Sequence, residues 1–363
     1  MTDLYIVNTH FQLVNSINLA FNRQDNFSYL YINTFAFKSE FIRRIRGFQL
    51  FNQIFPFYEE YTNEDSFEAG YISHNISYFK TFSPSVKIDD FFYSNDNPAV
   101  NALFYNCKRS NENIQINYVE DGLFSYINHS VKYDLPASRL DANDVASLHF
   151  LQEDKFYLYE PELSLFSTEK IYSLPKLTYE LVDKMAQIYE LTDEILCGLP
   201  SLIYLGQPFL LSDEVNLFKW LQSNYLFSSE RDYAVKSHPR TLDGDYAPDI
   251  QILGKSYPIE ILLLLSPKRE FTIVSLFSSP ALTLHTMFDR SYKRFNTIIM
   301  AQLLLSKEID AFKTDNMTQD LLENLKSVNL MVERYNNSIA IKSEFEKIQN
   351  PYNREDLKSL LRR

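Results

Sequence analysis

A chain of 363 residues is longer than one hydrophobic core usually serves, so two domains are expected. Hydrophobic residues make up 45% and charged residues 23%, which excludes a disordered chain. The net charge of −12 excludes a general nucleic-acid binder, whose surface must be basic enough to replace counterions.

The chain opens MTDLYIVNTHFQL, with no basic region leading into a long apolar run, so no secretory signal is expected. No stretch approaches the about 18 apolar residues of a membrane span. The longest, IEILLLL at 259–265, is short and carries Glu260. Cys107 and Cys197 lack CxxC spacing, which argues against a structural zinc site and fits reduced thiols. A cytoplasmic protein is expected, touching the inner membrane peripherally if at all.

In chain order, LYIVNT (4–9) reads as a buried strand and HFQLVNSINLAFN (10–22) as a helix with Leu13, Ile17, Leu19 and Phe21 as its apolar positions. FSYLYINTF (27–35) is the next strand and SEFIRRIRGF (39–48) the next helix. NPAVNALFYNCKR (97–109) is a helix with Asp96 and Asn97 as cap candidates. IQINYVEDG (114–122) is a strand running into a turn, and KFYLYEP (155–161) a strand stopped by proline. PKLTYELVDKMAQIYELTDEILCGLP, helical in period and closing on Gly-Leu-Pro, reads as a linker over 176–200.

A second alternation follows. SLIYLGQP (201–208), RDYAVKSHP (231–239), FTIVSLFSS (271–279) and NTIIMAQLL (296–304) read as strands, the last of these as the final one. SDEVNLFKWLQSN (212–224), SYPIEILLLL (256–265) and SPALTLHTMF (279–288) read as helices. The remainder is mostly helical with a basic end, LKSLLRR. The expected architecture is α/β: an N-terminal lobe over 1–175, the linker, a second lobe over 201–345 and a basic C-terminal helix over 346–363. In parallel sheets of this kind ligands bind beyond the C-terminal strand ends, which makes those residues the ones to inspect.

The seven glycines, at 47, 70, 122, 198, 206, 244 and 254, exclude both GxGxxG and GxxxxGK[ST]. A phosphate must therefore be held by other means. Glu120 and Asp121 stand where a strand meets Gly122; one of two adjacent carboxylates can face a cleft and serve as a general base, although Asp-Gly is also a common turn. At AVKSHPR, His238 ends a strand between Lys236 and Arg240, with Pro239 fixing the chain direction. Such a histidine can bind a phosphate or donate a proton to a departing one. Ser278 and Ser279 precede Pro280 at a helix start, where they either cap the helix or hold a phosphate. Glu260 at a helix start can accept both hydroxyls of a ribose or simply complement the helix dipole. Gly206 and Gln207 follow a strand and can approach a nucleotide; Asp213 is an alternative base. Asp243-Gly244-Asp245 has the DxD form of a manganese site but reads as a turn.

The series Glu120-Asp121-Gly122, His238-Pro239 and Ser278-Ser279 resembles the bacterial sialyltransferases, with their [D/E]-[D/E]-G, HP and paired Ser/Thr motifs. The opening LYIVNTHFQLVNSINL and the YLGQP segment look most like glycosyltransferase family 52, the lipooligosaccharide and capsule sialyltransferases. The resemblance implies a GT-B fold of two Rossmann-like lobes around a cleft. It implies inverting, metal-independent transfer of sialic acid from CMP-sialic acid to a terminal galactose of a surface glycan, usually in α2,3 linkage, with no cofactor. Asp121 would be the base with Glu120 its neighbour, His238 would bind or protonate the leaving phosphate, Ser278 and Ser279 would hold it, and Glu260 would take the ribose. Gly206, Gln207 and Pro239 fall on the donor side, and Lys236 joins them by charge and place. A homodimer is compatible with the resemblance. Two other readings stand beside it: a related transferase using another sugar nucleotide, such as a glucosyltransferase, and a non-catalytic glycan-assembly protein that keeps the fold.

Overall fold

The computed structural model describes residues 1–59, 84–95, 97–127, 153–166, 169–207, 219–221, 223, 233–238, 251–288, 293–309, 319–338 and 347–362. Within them the chain forms two all-parallel sheets. The first has strands β1 (Thr2–Val7), β2 (Phe27–Asn33), β3 (Gln53–Phe57), β4 (Asp90–Tyr93), β5 (Gln115–Val119), β6 (Lys155–Leu158) and β7 (Ile171–Ser173), in the order β3-β2-β1-β4-β5-β6-β7. The second has β8 (Leu202–Leu205), β9 (Tyr233–Lys236), β10 (Gln251–Leu253), β11 (Glu270–Ser275), β12 (Arg294–Ile299) and β13 (Ile348–Gln349), in the order β10-β9-β8-β11-β12-β13. Both are doubly wound, with the order reversing beside β1 and beside β8. In sheets of this kind ligands bind at such a reversal, at the C-terminal ends of the strands.

The central strands are buried on both faces, and their sequences read accordingly. In β1, Leu4, Tyr5, Ile6 and Val7 are all buried; in β8, all four residues are. The helices α1 (His10–Asn22), α2 (Ser39–Gly47) and α3 (Pro98–Ser110) cover the first sheet. Thr9 caps α1 by accepting from the Gln12 amide, and Asn97 caps α3 by accepting from that of Val100.

The segment expected to be a linker is two short helices, α4 (Tyr179–Ile188) and α5 (Asp193–Cys197). They are part of the packing. Leu181, Val182, Met185 and Ile188 of α4 share a buried cluster with Val14 and Ile17 of α1 and with Ile261 and Leu264 of α6 (Ile259–Leu265) in the second lobe. A second cluster joins Leu123, Tyr126 and Leu158 of the first lobe to Leu276, Ala281 and Met300 of the second. The lobes are therefore joined by apolar contact as well as by chain.

Two expectations for the C-terminal part change. NTIIMAQLL is not one strand: β12 stops at Ile299, and Ala301–Leu305 turn into helix α8, after α7 (Pro280–Thr286). Nor is β12 the last strand, because β13 adds to its outer edge. The long helix α9 (Gln319–Ser338) returns to the first lobe, where Arg334 Nη1 donates to the Ser164 carbonyl at 2.5 Å. The closing helix α10 (Arg354–Arg362) buries Leu357 and Leu361 in the second lobe's core. Among the described residues no helix is long and apolar enough to cross a membrane.

Candidate functional site

The first lobe's contribution begins at the end of β5. The Glu120 amide still bonds to the Tyr157 carbonyl, so the strand pleat carries through the motif and sends the two carboxylates to opposite sides. Glu120 turns inward. It is fully buried, and its Oε2 accepts from the Tyr126 hydroxyl at 2.5 Å and the Tyr159 amide at 2.8 Å. Burial raises its pKa to about 8, with the Tyr126 and Tyr159 donors pulling the other way. Its Oε1 is enclosed and has no hydrogen-bond partner. Glu120 thus braces the loop from inside.

Asp121 is half-buried on the other side. Its amide donates to Ser125 Oγ at 2.6 Å, and its Oδ2 accepts from Gln12 Nε2 at 2.9 Å. Gln12 is 1% exposed, and its orientation is set at the other end, where Oε1 accepts from the Asn8 amide at 2.8 Å. The same Nε2 reaches Asn95 Oδ1 at 3.2 Å, Asn8 Nδ2 reaches it too, and Asn33 Nδ2 donates to Asn8 Oδ1 at 3.1 Å. Carboxamides from the ends of β1, β2 and β4 and the first turn of α1 thus form a continuous edge leading to Asp121. Asn15 holds the motif from behind, its Nδ2 donating to the Glu120 carbonyl at 2.8 Å.

Gly122 is where the lobes touch. Its φ of +91° lies in the region that favours glycine, and a Cβ there would stand 2.4 Å from Ser279 Oγ. The next amide, of Leu123, donates to Ser279 Oγ at 3.0 Å. Ser279 does not cap α7 with its side chain; its hydroxyl accepts from the other lobe instead. A serine oxygen accepting this bond keeps its proton to donate elsewhere. Ser278, beside it, has its amide satisfied by Ser275 Oγ at 2.6 Å.

The other second-lobe residues lie at the ends of β8 and β9 and in the first turn of α6. Gly206 extends the β8 ladder by donating to the Lys236 carbonyl at 3.0 Å, and the buried Gln207 follows it. Lys236 ends β9, and its Nζ donates to the Gly254 carbonyl. His238 is half-buried two residues later. Glu260 is 3% exposed, accepts from Thr283 Oγ1 at 2.8 Å and has its pKa raised by burial. The positive charge of Lys236 works against that rise. Pro239, Asp213, Asp243 and Asp245 lie outside the described residues.

The structure brings together Asp121, Gly122 and Ser279, and groups Gly206 and Gln207 with Lys236. It turns Glu120 away from them. It also adds His10, which sequence reasoning passed over. His10 opens α1, is half-buried against Phe37 and Phe41, and has Nδ1 3.2 Å from the Tyr189 hydroxyl. Burial lowers its pKa to about 4, and the positive charge of Lys236 from the second lobe adds to the effect. The signal for His10 and Gln12 was available: both are polar residues in the first turn after a buried strand, a position where parallel sheets place ligands.

No protein-family model matches the chain, and no curated protein matches it. Solved structures do. A protein described as a UDP-N-acetylglucosamine 2-epimerase from Listeria monocytogenes superposes with a TM-score of 0.51 at 11% identity, over 99% of this chain and 93% of that one. The UDP-GlcNAc 2-epimerase of Methanocaldococcus jannaschii, in complex with UDP-GlcNAc and UDP, gives 0.49 at 16% identity, over 100% and 99%. The calicheamicin glycosyltransferase gives 0.46 at 9%, over 99% and 93%. At such identities the likeness is one of fold: two Rossmann-like domains in the GT-B arrangement.

Proposed function

We propose that this chain is a glycosyltransferase using a nucleotide-sugar donor, and that the donor is CMP-sialic acid and the acceptor a terminal galactose. One observation carries the proposal: the Glu120-Asp121-Gly122 turn and Ser279, distant in sequence, meet where the two sheets end. The series of motifs in the sequence points to the sialyl donor, and the shared architecture with a protein described as a UDP-N-acetylglucosamine 2-epimerase is in keeping with a nucleotide-sugar site.

In this reading the first lobe holds the acceptor and the second the donor. Asp121 accepts the proton of the acceptor hydroxyl as its oxygen attacks the anomeric carbon. The bond from that carbon to the CMP phosphate breaks, and its electron pair leaves with the phosphate. Gln12 holds one carboxylate oxygen of Asp121, fixing the direction of the other. His238 supplies a proton or a positive charge to the departing phosphate, and the hydroxyls of Ser278 and Ser279 donate to it. Lys236 adds positive charge at the end of β9. One displacement of this kind inverts the anomeric configuration. It needs no metal, because a phosphate monoester is stabilised by these donors alone.

The test is incubation with CMP-sialic acid and lactose in EDTA, reading free CMP and sialyl-lactose. Both products support the reading. CMP without sialyl-lactose supports the donor and rejects lactose as acceptor. If neither appears, and UDP-GlcNAc is instead turned over, the donor assignment is wrong.

A further inference from the structure

His10 stands at the strand ends, and no step of the proposed transfer uses it. It opens α1 directly after β1, the strand beside which the order of the first sheet reverses. Ligands meet sheets of this kind at such a place. The lobes touch at Gly122 and Ser279, which follow β5 and β11. Two strands along in each sheet stand β1 and β9, which lead to His10 and Lys236.

The bonding of the ring decides what it can do. Tyr189, just past the end of α4, is buried, and among the described residues its hydroxyl has one hydrogen-bond partner, His10 Nδ1 at 3.2 Å. A hydroxyl that only accepted this bond would leave its own proton buried without an acceptor, which is the costly arrangement. Burial, and after it the charge of Glu260, push the pKa of Tyr189 well above the usual range, so the proton stays on its oxygen. Tyr189 therefore donates and Nδ1 accepts, which in a neutral imidazole puts the ring hydrogen on Nε2. Nε2 has no hydrogen-bond partner among the described residues. The rings of Phe37, Phe41 and Tyr189, with centroids 4.5, 5.5 and 5.5 Å from that of His10, hold the imidazole in place. Tyr189 is itself at the junction of the lobes, its ring 6.5 Å from that of Tyr257 in the second.

We propose that His10 is a further donor-binding residue, whose Nε2–H donates to an anionic oxygen of the nucleotide-sugar donor between the lobes. This rests on the reading of the chain as a nucleotide-sugar transferase and goes beyond it, because it gives the first lobe a hold on the donor. The ligand is anionic because Lys236 already bears on this place: its positive charge adds to burial in keeping His10 neutral down to about pH 4. A second cation there would repel the first, whereas a neutral N–H adds a donor without a charge. The same bonding withdraws His10 from the role of general base, since a nitrogen that presents its hydrogen cannot take up another. Asp121 keeps that role. The oxygen belongs either to the donor's phosphate or to a carboxylate on its sugar.

The test is nitrogen NMR of protein isotopically labelled at histidine, with the His10 signals assigned from His10→Leu. Native protein at neutral pH is expected to carry the His10 hydrogen on Nε2 alone, and Tyr189→Phe, which keeps the ring and removes the hydroxyl, to show both tautomers. A hydrogen on Nδ1 alone in native protein would overturn the proposal. The same spectra are then recorded with CMP, CMP-sialic acid, free sialic acid, UDP-GlcNAc and inorganic phosphate. A shift of Nε2 with CMP or phosphate assigns the bond to the phosphate, and a shift with only the two sialic acid compounds assigns it to the carboxylate. A shift with UDP-GlcNAc and none with CMP-sialic acid keeps the role of His10 and rejects the sialyl donor. No shift with any of them overturns the role itself. In calorimetry, His10→Leu, checked for folding by circular dichroism, is expected to bind the ligand that gave the shift about tenfold more weakly, with lactose affinity unchanged. Equal donor affinity in native protein and variant would also overturn it.

Discussion

The two sheets end against each other, and the two edges carry different chemistry. The first ends in amides and one carboxylate: Asn8, Asn33, Asn95, Gln12 and Asp121, bonded side to side. The second ends in Lys236, Ser237, His238, Ser278 and Ser279, a set of cations and hydroxyls. Asn8, Asn33 and Gln12 are buried and spent on one another, so the first edge presents Asp121 on a fixed amide support. A cationic, hydroxylic edge matches an anion. In the proposed reading, this difference is the ground for giving the acceptor to the first lobe and the donor to the second.

The sharpest way to break that contrast is to remove one chemical group from each edge. Asp121→Asn and His238→Ala are each expected to lower sialyl transfer by about 10²–10⁴-fold. CMP-sialic acid binding, read by calorimetry, should survive the first and weaken in the second. The reverse pattern would exchange the roles of the lobes. Next in size is Gly122→Ala, which forces a side chain into the left-handed region and against Ser279. A loss of about 1–3 kcal/mol in unfolding free energy is expected. Ser279→Gly in the same chain should restore the part owed to the collision and leave the part owed to φ.

Gln12→Leu is expected to lower kcat about tenfold with donor affinity unchanged, because one oxygen of Asp121 loses its donor. An unchanged kcat would mean that Asp121 needs no such support.

The last prediction is one of pH. Glu120 has a folded pKa of about 8, above the carboxyl's ordinary value of 4.5. Folding therefore takes up a proton between those values, and native stability falls as pH rises from about 4.5 to 8. Glu120→Gln should flatten that slope in urea unfolding, so that the variant compares better at pH 8 than at pH 5. An unchanged slope would mean that Glu120 is ionised in the folded state. His10 works in the opposite direction. Its pKa, lowered from 6.5 to about 4, gives stability that is present above pH 6.5 and lost as pH falls toward 4.

The parallel α/β plan was legible in the alternation of apolar runs. What escaped was chiefly the edges. β3, β7, β10 and β13 are the outermost strands of their sheets, with two to five residues each. Edge strands are short and carry polar or proline residues; β3 includes Pro56, which an interior strand would exclude. β4 is interior but only four residues long, DFFY, too brief for periodicity to separate from a loop. At the site, the acidic-Gly turn and the paired serines could be read as motifs, yet their meeting could not. Which of Glu120 and Asp121 faces outward depends on whether the pleat continues past Val119, and that is set by pairing with β6. The buried amides of α1 were hidden because only the apolar stripe of that helix was counted.

The winding of the sheets also bears on how the chain is made. β1 is synthesised before the other described strands, and it ends near the middle of its sheet, with β2 and β3 added on one side and β4 to β7 on the other. β8 stands in the same relation to the second sheet, followed by β9 and β10 and then by β11 to β13. Each sheet can therefore grow outward from its oldest strand, with every later strand laid on a finished edge. In a nascent chain of this plan each lobe can mature as a unit while the rest is still being synthesised.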